Sequence, residues 1–146
     1  MFSLDTNILV YAADKEAGAK HVAASDIVHA ASRVDAALTE QSIIEFVNAV
    51  TRKAKLSLSS TLPYVGEFQR NFDLLLPTES VVDDVLALLT QHKINIFDAR
   101  IVAVCAAHGC DHLLSEDLHD GAQYGGVTVV NPFNPGNAGL IGRLLS

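Results

Sequence analysis

The sequence has no tryptophan, and aromatic residues make up only 6% of it, so its core must rest on aliphatic side chains with a few Phe and Tyr. It also has no long hydrophobic run; nothing approaches the roughly 18 consecutive apolar residues of a membrane-spanning helix. Asp5 and Asn7 interrupt the opening apolar residues almost at once, so no secretory leader is expected and a cytoplasmic protein is the economical reading. Basic residues are outnumbered, with 10 Lys and Arg against 17 Asp and Glu and a formal net charge of −7. That balance excludes a protein that grips nucleic acid through a broad basic surface. It does not exclude an enzyme that holds phosphates through bound metal.

Cysteine is equally scarce. Cys105 and Cys110 are the only two, and with His108 and His112 they add up arithmetically to four zinc ligands. Gly109, however, falls between them as a helix terminator. The expected reading is therefore that Cys105 packs as a small apolar residue, with no disulfide in a reducing compartment.

Against these absences, 49% of the 146 residues are hydrophobic and 18% charged, with no repeat or low-complexity tract, which fits one compact domain over residues 1–146. Phe2-Ser3-Leu4 is a short apolar strand closed by Asp5-Thr6-Asn7, and residues 8–13 begin a helix. Val22, Ile27 and Val28 recur at helical spacing in an Ala-rich stretch over 17–33. Residues 35–38 form a second candidate strand, and Thr39 is placed to cap a helix over 40–55 that carries Ile43, Ile44, Phe46, Val47 and Val50. Further helices are expected over 57–71, with Pro63 in an early turn, and over 79–93, with Val82, Val85, Leu86 and Leu89 on one side. Between them Leu74-Leu75-Leu76 reads as a buried strand. Asp98 opens another helix, stopped by Gly109. Strands over 112–115 and 127–130, then a turn-rich stretch and a short helix, complete the chain. Short apolar strands alternating with helices define an α/β layer fold with a mainly parallel sheet.

The informative feature is where certain carboxylates fall. Asp5 and Asp117 each follow a strand, which in a parallel sheet places both at the carboxyl edge, where such folds bind ligands. Asp98 and Glu45 lie near the starts of helices that begin at the same edge. Taken singly, each acid has an ordinary explanation: Asp5 as a turn or cap residue, Asp98 as an N-cap, Asp117 as a solvated loop acid. Glu45 is harder to dismiss, because it interrupts Ile43-Ile44 and Phe46-Val47. If the four converge, they raise one another's pKa and require a counter-ion. An all-oxygen donor set selects Mg²⁺ or Mn²⁺. Asp120 is either an outer ligand or a solvated loop acid, and His119 an exposed loop residue. Arg52, Lys53 and Lys55 form the one tight basic cluster, read either as cations complementing a helix C-terminus or as an edge that contacts phosphate.

These segments together resemble the PIN-domain ribonucleases. Leu4-Asp5-Thr6-Asn7 resembles the family's first motif, and Glu45-Phe46-Val47-Asn48 the second. Phe97-Asp98-Ala99 before an apolar helix is similar to the third, and Leu114-Ser115-Glu116-Asp117 to the fourth. The resemblance implies a PIN-like three-layer fold with Asp5, Glu45, Asp98 and Asp117 as catalytic metal ligands for Mg²⁺ or Mn²⁺. Thr6, Asn7 and Ser115 would then position those ligands or the substrate. The Asn131-Pro132-Phe133 ending resembles VapC-type toxins, which implies an RNA substrate, a cognate antitoxin protein and a homodimer.

Three rival readings meet obstacles in particular residues. A phospho-receiver-like signalling domain needs a phosphorylatable Asp after a middle strand, where this chain has Pro77-Thr78. A haloacid-type phosphatase needs a second Asp where Asn7 stands. A catalytically silent PIN-fold binding module is disfavoured by intact acids at all four positions.

Overall fold

The computed structural model describes residues 1–53 and 56–146. Lys55, the last member of the basic cluster and of the expected 40–55 helix, lies outside the described residues. Five parallel strands and one antiparallel strand form a sheet of order β3-β2-β1-β4-β6-β5. These are β1 (Phe2–Leu4), β2 (Ala36–Thr39), β3 (Asp73–Leu75), β4 (His112–Leu114), β5 (Gln123–Tyr124) and β6 (Val127–Val130). The helices are α1 (Thr6–Ala13), α2 (Ala19–Ala31), α3 (Glu40–Arg52), α4 (Leu58–Asn71), α5 (Val81–Gln91), α6 (Ile96–Ala107) and α7 (Ala138–Leu144).

Strand periodicity explains the layers. Side chains alternate between the two faces of a sheet, so Phe2 and Leu4, with Leu38 and Leu114, enter one core, whereas Ala37, Leu113 and Val129 enter the other. The first core takes in Ile8 and Leu9 of α1, Ile27 of α2, Phe46 of α3 and Phe68 of α4; the second takes in Val85 and Leu88 of α5 and the apolar run of α6. Central strands buried on both faces are why these segments are short apolar runs with little polar alternation. Phe46 is fully buried and meets Phe68 edge-on at 5.1 Å, supplying the aromatic anchor that the missing tryptophan leaves to Phe.

Several expectations need correction. The strand at Leu74-Leu75-Leu76 is not buried: β3 is an edge strand, and only Leu75 turns inward while Leu74 and Leu76 face out. In α5 the inward residues are Val85 and Leu88, and Val82 and Leu86 are exposed, because a helix over a sheet edge buries only a narrow stripe. In α2, Val22 is likewise exposed, and Ala24, Ile27 and Ala31 make the buried face. Pro63, by contrast, falls in an early turn of α4 as expected, the second, and Ser57 caps that helix. Cys105 and Cys110 are both buried, unbridged thiols, and His108 turns to the Leu76 carbonyl at 2.8 Å. Among the described residues no His, Cys, Asp and Glu side chains form a ready metal cluster there.

Asp120 fits neither role expected of it. Its carboxylate accepts from the Asn131 backbone N–H and from the side-chain amides of Asn134 and Asn137, at 2.8–3.0 Å. These bonds hold its pKa below the usual carboxylate range and pin the turn-rich stretch before α7. Asp120→Ala is expected to destabilise the protein by about 2 kcal/mol, the scale of hydrogen bonds to a charged group. Urea unfolding measures this directly, and an unchanged midpoint would return Asp120 to the solvated-acid reading.

Candidate active site at the carboxyl edge

Chain order and sheet order make the site. From β1 the chain winds outward through β2 to β3, then returns to the other side of β1 with β4. The crevice at the ends of β1 and β4 is therefore a topological switch point, where open parallel sheets bind ligands. Asp5 leaves β1 there, and its backbone N–H is tied across the crevice to the Leu114 carbonyl at 2.9 Å. The chain beyond β4 carries Ser115, Glu116 and Asp117 to the same place. Thr39 caps α3 by accepting from the Ser42 N–H, so α3 starts at this edge and brings Glu45 into it one turn later.

A cavity of about 640 Å³ opens at this point, and Asp5, Glu45, Asp98 and Asp117 all line it, together with Thr6 and Asn7. The four acids singled out in the sequence thus share one cavity wall. They are not packed into a closed shell: among the described residues no three such side chains are close enough to form one as they lie. A second cavity of about 200 Å³, between α1, α2 and α4, gathers no comparable set of carboxylates.

Hydrogen bonds organise the wall. Asp5 caps α1, its Oδ1 accepting from the Thr6 N–H at 2.7 Å. Its Oδ2 accepts from Ser115 Oγ at 2.7 Å and from Asn7 Nδ2 at 3.2 Å. The Asn7 amide also donates to Asp117 Oδ2 at 3.1 Å, and its oxygen accepts from the Glu116 N–H. Ser115 Oγ in turn accepts from the Asp117 N–H. Thr6 Oγ1 donates to Glu45 Oε2 at 3.0 Å. Asp98 differs from the other three: among the described residues it accepts no hydrogen bond. It is not the N-cap either. Asn95 takes that position, accepting from the Phe97 N–H at 2.8 Å, so the helix starts earlier than expected and Asp98 stands in its first turn.

Burial and like charge act together on these groups. Asp5 is only 4% exposed. Its pKa is pushed from 3.8 up to about 6, first by burial and then by Asp98 and Asp117, against the bonds from Ser115 and Thr6. Asp98 is raised by burial and by Asp117 and Glu45.

One contributor is not evident in the sequence. Gln41, buried in the first turn of α3, donates from Nε2 to Glu45 Oε1 and to the Phe97 carbonyl, each at 2.9 Å. Its oxygen faces Arg100 Nη1 at 2.5 Å, and Arg100 also pairs with Glu40. A guanidinium can only donate, so Arg100 fixes which end of the amide faces Glu45. The available signal was a glutamine four residues before the acid on one helix face.

A mainly parallel sheet wrapped by helices, with an acid-lined cavity at its switch point, is the architecture of an open α/β fold that binds its ligand at the carboxyl edge. Residues 3–119 match the PIN domain family, and the chain belongs to it. Ribonuclease VapC24 of Mycobacterium tuberculosis is 28% identical over 140 residues, covering 90% of this chain and 97% of the relative. Among solved structures, a toxin-antitoxin complex from Klebsiella pneumoniae superposes with a TM-score of 0.68 at 20% identity, covering 91% of this chain and 98% of that one. M. tuberculosis VapC20, described as a Sarcin-Ricin loop cleaving toxin, gives 0.64 at 14% identity over 80% and 90% of the two chains. At such identities these structures speak for the fold, which is the PIN fold.

The raised Asp5 pKa has a definite effect on stability. Between pH 3.8 and about 6 the folded state holds the Asp5 proton more tightly than the unfolded chain does. The stabilisation is therefore complete below pH 3.8 and is lost as pH rises through about 6. A separation of about 2 pH units corresponds to about 3 kcal/mol. In chelator, Asp5→Asn should flatten this part of the profile in urea unfolding at pH 4 to 7. A mutant curve parallel to wild type would show that Asp5 is not the group responsible.

Proposed function

We propose that this chain is a Mg²⁺- or Mn²⁺-dependent endoribonuclease, one domain over residues 1–146, and the toxin component of a type II toxin–antitoxin pair in the cytoplasm. The observation that carries the reading is the meeting of Asp5, Glu45, Asp98 and Asp117 on one cavity at the switch point. The donor chemistry fits a hard divalent cation. Every group is a carboxylate, and Asp98 carries a raised pKa with no hydrogen bond from the described residues to compensate its charge.

In this proposal the four acids hold the ion and the neighbouring side chains aim them. Ser115 and Asn7 orient Asp5, Asn7 orients Asp117, and Thr6 and Gln41 take one oxygen each of Glu45. Held by Asp5, Glu45, Asp98 and Asp117, such an ion would supply the positive charge that lets crowded carboxylates stay ionised, and Lewis-acid chemistry for phosphodiester hydrolysis.

RNA as the substrate is supported by the VapC24 relative, and an antitoxin partner by the toxin–antitoxin neighbours. A homodimer is supported by Ile44 and Phe97, large apolar side chains left 62–63% exposed that share a separate surface pocket with Glu45.

Purified protein should cut mixed cellular RNA into discrete fragments with Mn²⁺ or Mg²⁺ and stop in excess EDTA. Asp98→Asn should lower the rate at least about 100-fold, the upper end of what losing a ligand's hydrogen-bonding partner causes. Added Mn²⁺ should raise the melting temperature of wild type, and less so in Asp5→Asn. A fully active Asp98→Asn protein, or cleavage indifferent to chelator, would overturn the four-acid site.

A further inference from the structure

The cavity has a second end of opposite charge. α3 runs along its wall, and Glu45, Asn48, Ala49 and Arg52 all line it at the i, i+3, i+4, i+7 spacing of one helical face. Lys53 joins them at the far end. Seven residues of helix separate Glu45 from Arg52, which is roughly 10 Å along the axis. The wall therefore begins at the acids and ends at two cations.

Arg52 lies in the last turn of α3 and Lys53 at its C-cap, as the helix-terminus reading expects, and both also line the cavity. Among the described residues, neither the Arg52 nor the Lys53 side chain donates a hydrogen bond to a carbonyl of α3. Nor is either cation neutralised. Lys20 pairs with Glu116 at 2.5 Å and Arg100 pairs with Glu40, whereas neither Arg52 nor Lys53 forms an ion pair among the described residues. In a chain of net charge −7, two exposed, unpaired cations on the wall of an acidic cavity stand out as attractors for a polyanion.

We propose that Arg52 and Lys53 form a phosphate subsite that holds the single-stranded RNA backbone beside the scissile linkage. This rests on the nuclease reading above. At roughly 10 Å from Glu45, the phosphate they meet is a neighbour of the one being cut. The subsite binds and orients the strand and takes no part in bond breaking. Arg52 fits the task because its planar fork matches phosphate oxygens bidentately. It also draws the RNA along α3, across a surface whose acids otherwise repel it.

The test separates strand binding from chemistry. An Asp98→Asn protein, slowed in cleavage, is titrated with fluorescein-labelled mixed-sequence single-stranded RNA in Mn²⁺ at several salt concentrations, with and without Arg52→Gln/Lys53→Gln. The double change should weaken binding about ten-fold and flatten the log K against log salt slope by about 0.7 for each phosphate no longer neutralised. Arg52→Lys should retain the slope, because the charge is kept. Arg33→Gln/Arg70→Gln, an equal change of charge at exposed positions before β2 and β3 at the opposite edge, should alter neither quantity. In the otherwise wild-type protein, Arg52→Gln/Lys53→Gln should raise KM for RNA with little change in kcat. An unchanged affinity and slope in the double variant, with wild-type cleavage intact, would overturn the subsite alone. Neither binding nor cleavage of RNA by any variant would overturn the nuclease reading and the subsite with it.

Discussion

Asp5 is a carboxylate placed at the end of a central strand with almost no access to solvent, and the surrounding structure is arranged around the cost of keeping it there. A buried carboxylate without partners is expensive. Three donors are brought to it from two parts of the chain: the Thr6 N–H, the Asn7 amide and the Ser115 hydroxyl. Ser115 arrives from 110 residues away because β4 pairs directly with β1. The same pairing sets the switch point and delivers Asp117. Even so, the partners only partly offset burial, and the Asp5 pKa stays near 6. What remains is an electrostatic demand that a hard cation answers in the proposed nuclease.

The polar residues of the site are linked as donors and acceptors. Asn7 spans Asp5 and Asp117, while Gln41 spans Arg100 and Glu45. Each amide has a donor end and an acceptor end, so each can join groups that would otherwise clash or point elsewhere. Such amides convert a cluster of mutually repelling acids into a wall with set oxygen positions. The cavity they face turns basic only at the end of α3, where Arg52 and Lys53 lie. Its charge therefore changes sign along one helical face.

Much of this is legible in the residues. Strand-ending acids, helix-starting acids and their order along the chain are enough to name Asp5, Glu45, Asp98 and Asp117, because a parallel sheet sends every strand end to one edge. Burial is less legible. Leu74, Leu76, Val82 and Leu86 are as apolar as any core residue yet lie exposed, since β3 is the edge strand and α5 covers it only in part. Asp98 is the N-cap that local pattern suggests, but Asn95 takes the position because an Asx side chain earlier in the loop competes successfully for the free N–H groups. Asp120 reads locally as a ligand or a solvated acid, and its bonds to three asparagines depend on a fold-back that local pattern does not encode.

The amino-acid sequence by itself determined the alternation of strands and helices, the two-faced burial of the central strands and the four acids, because these follow from periodicity and from position relative to local element ends. Only the tertiary structure decided which strand lies at the edge, which side of each helix is covered, that Gln41 and Arg100 support Glu45, and that Arg52 shares a cavity with the acids. Gln41 and Arg52 lie near Glu45 on α3, but Arg100, Asp98 and Asp117 are far from it in the chain and meet that helix only once β4 has returned beside β1 and α3 has packed along the crevice.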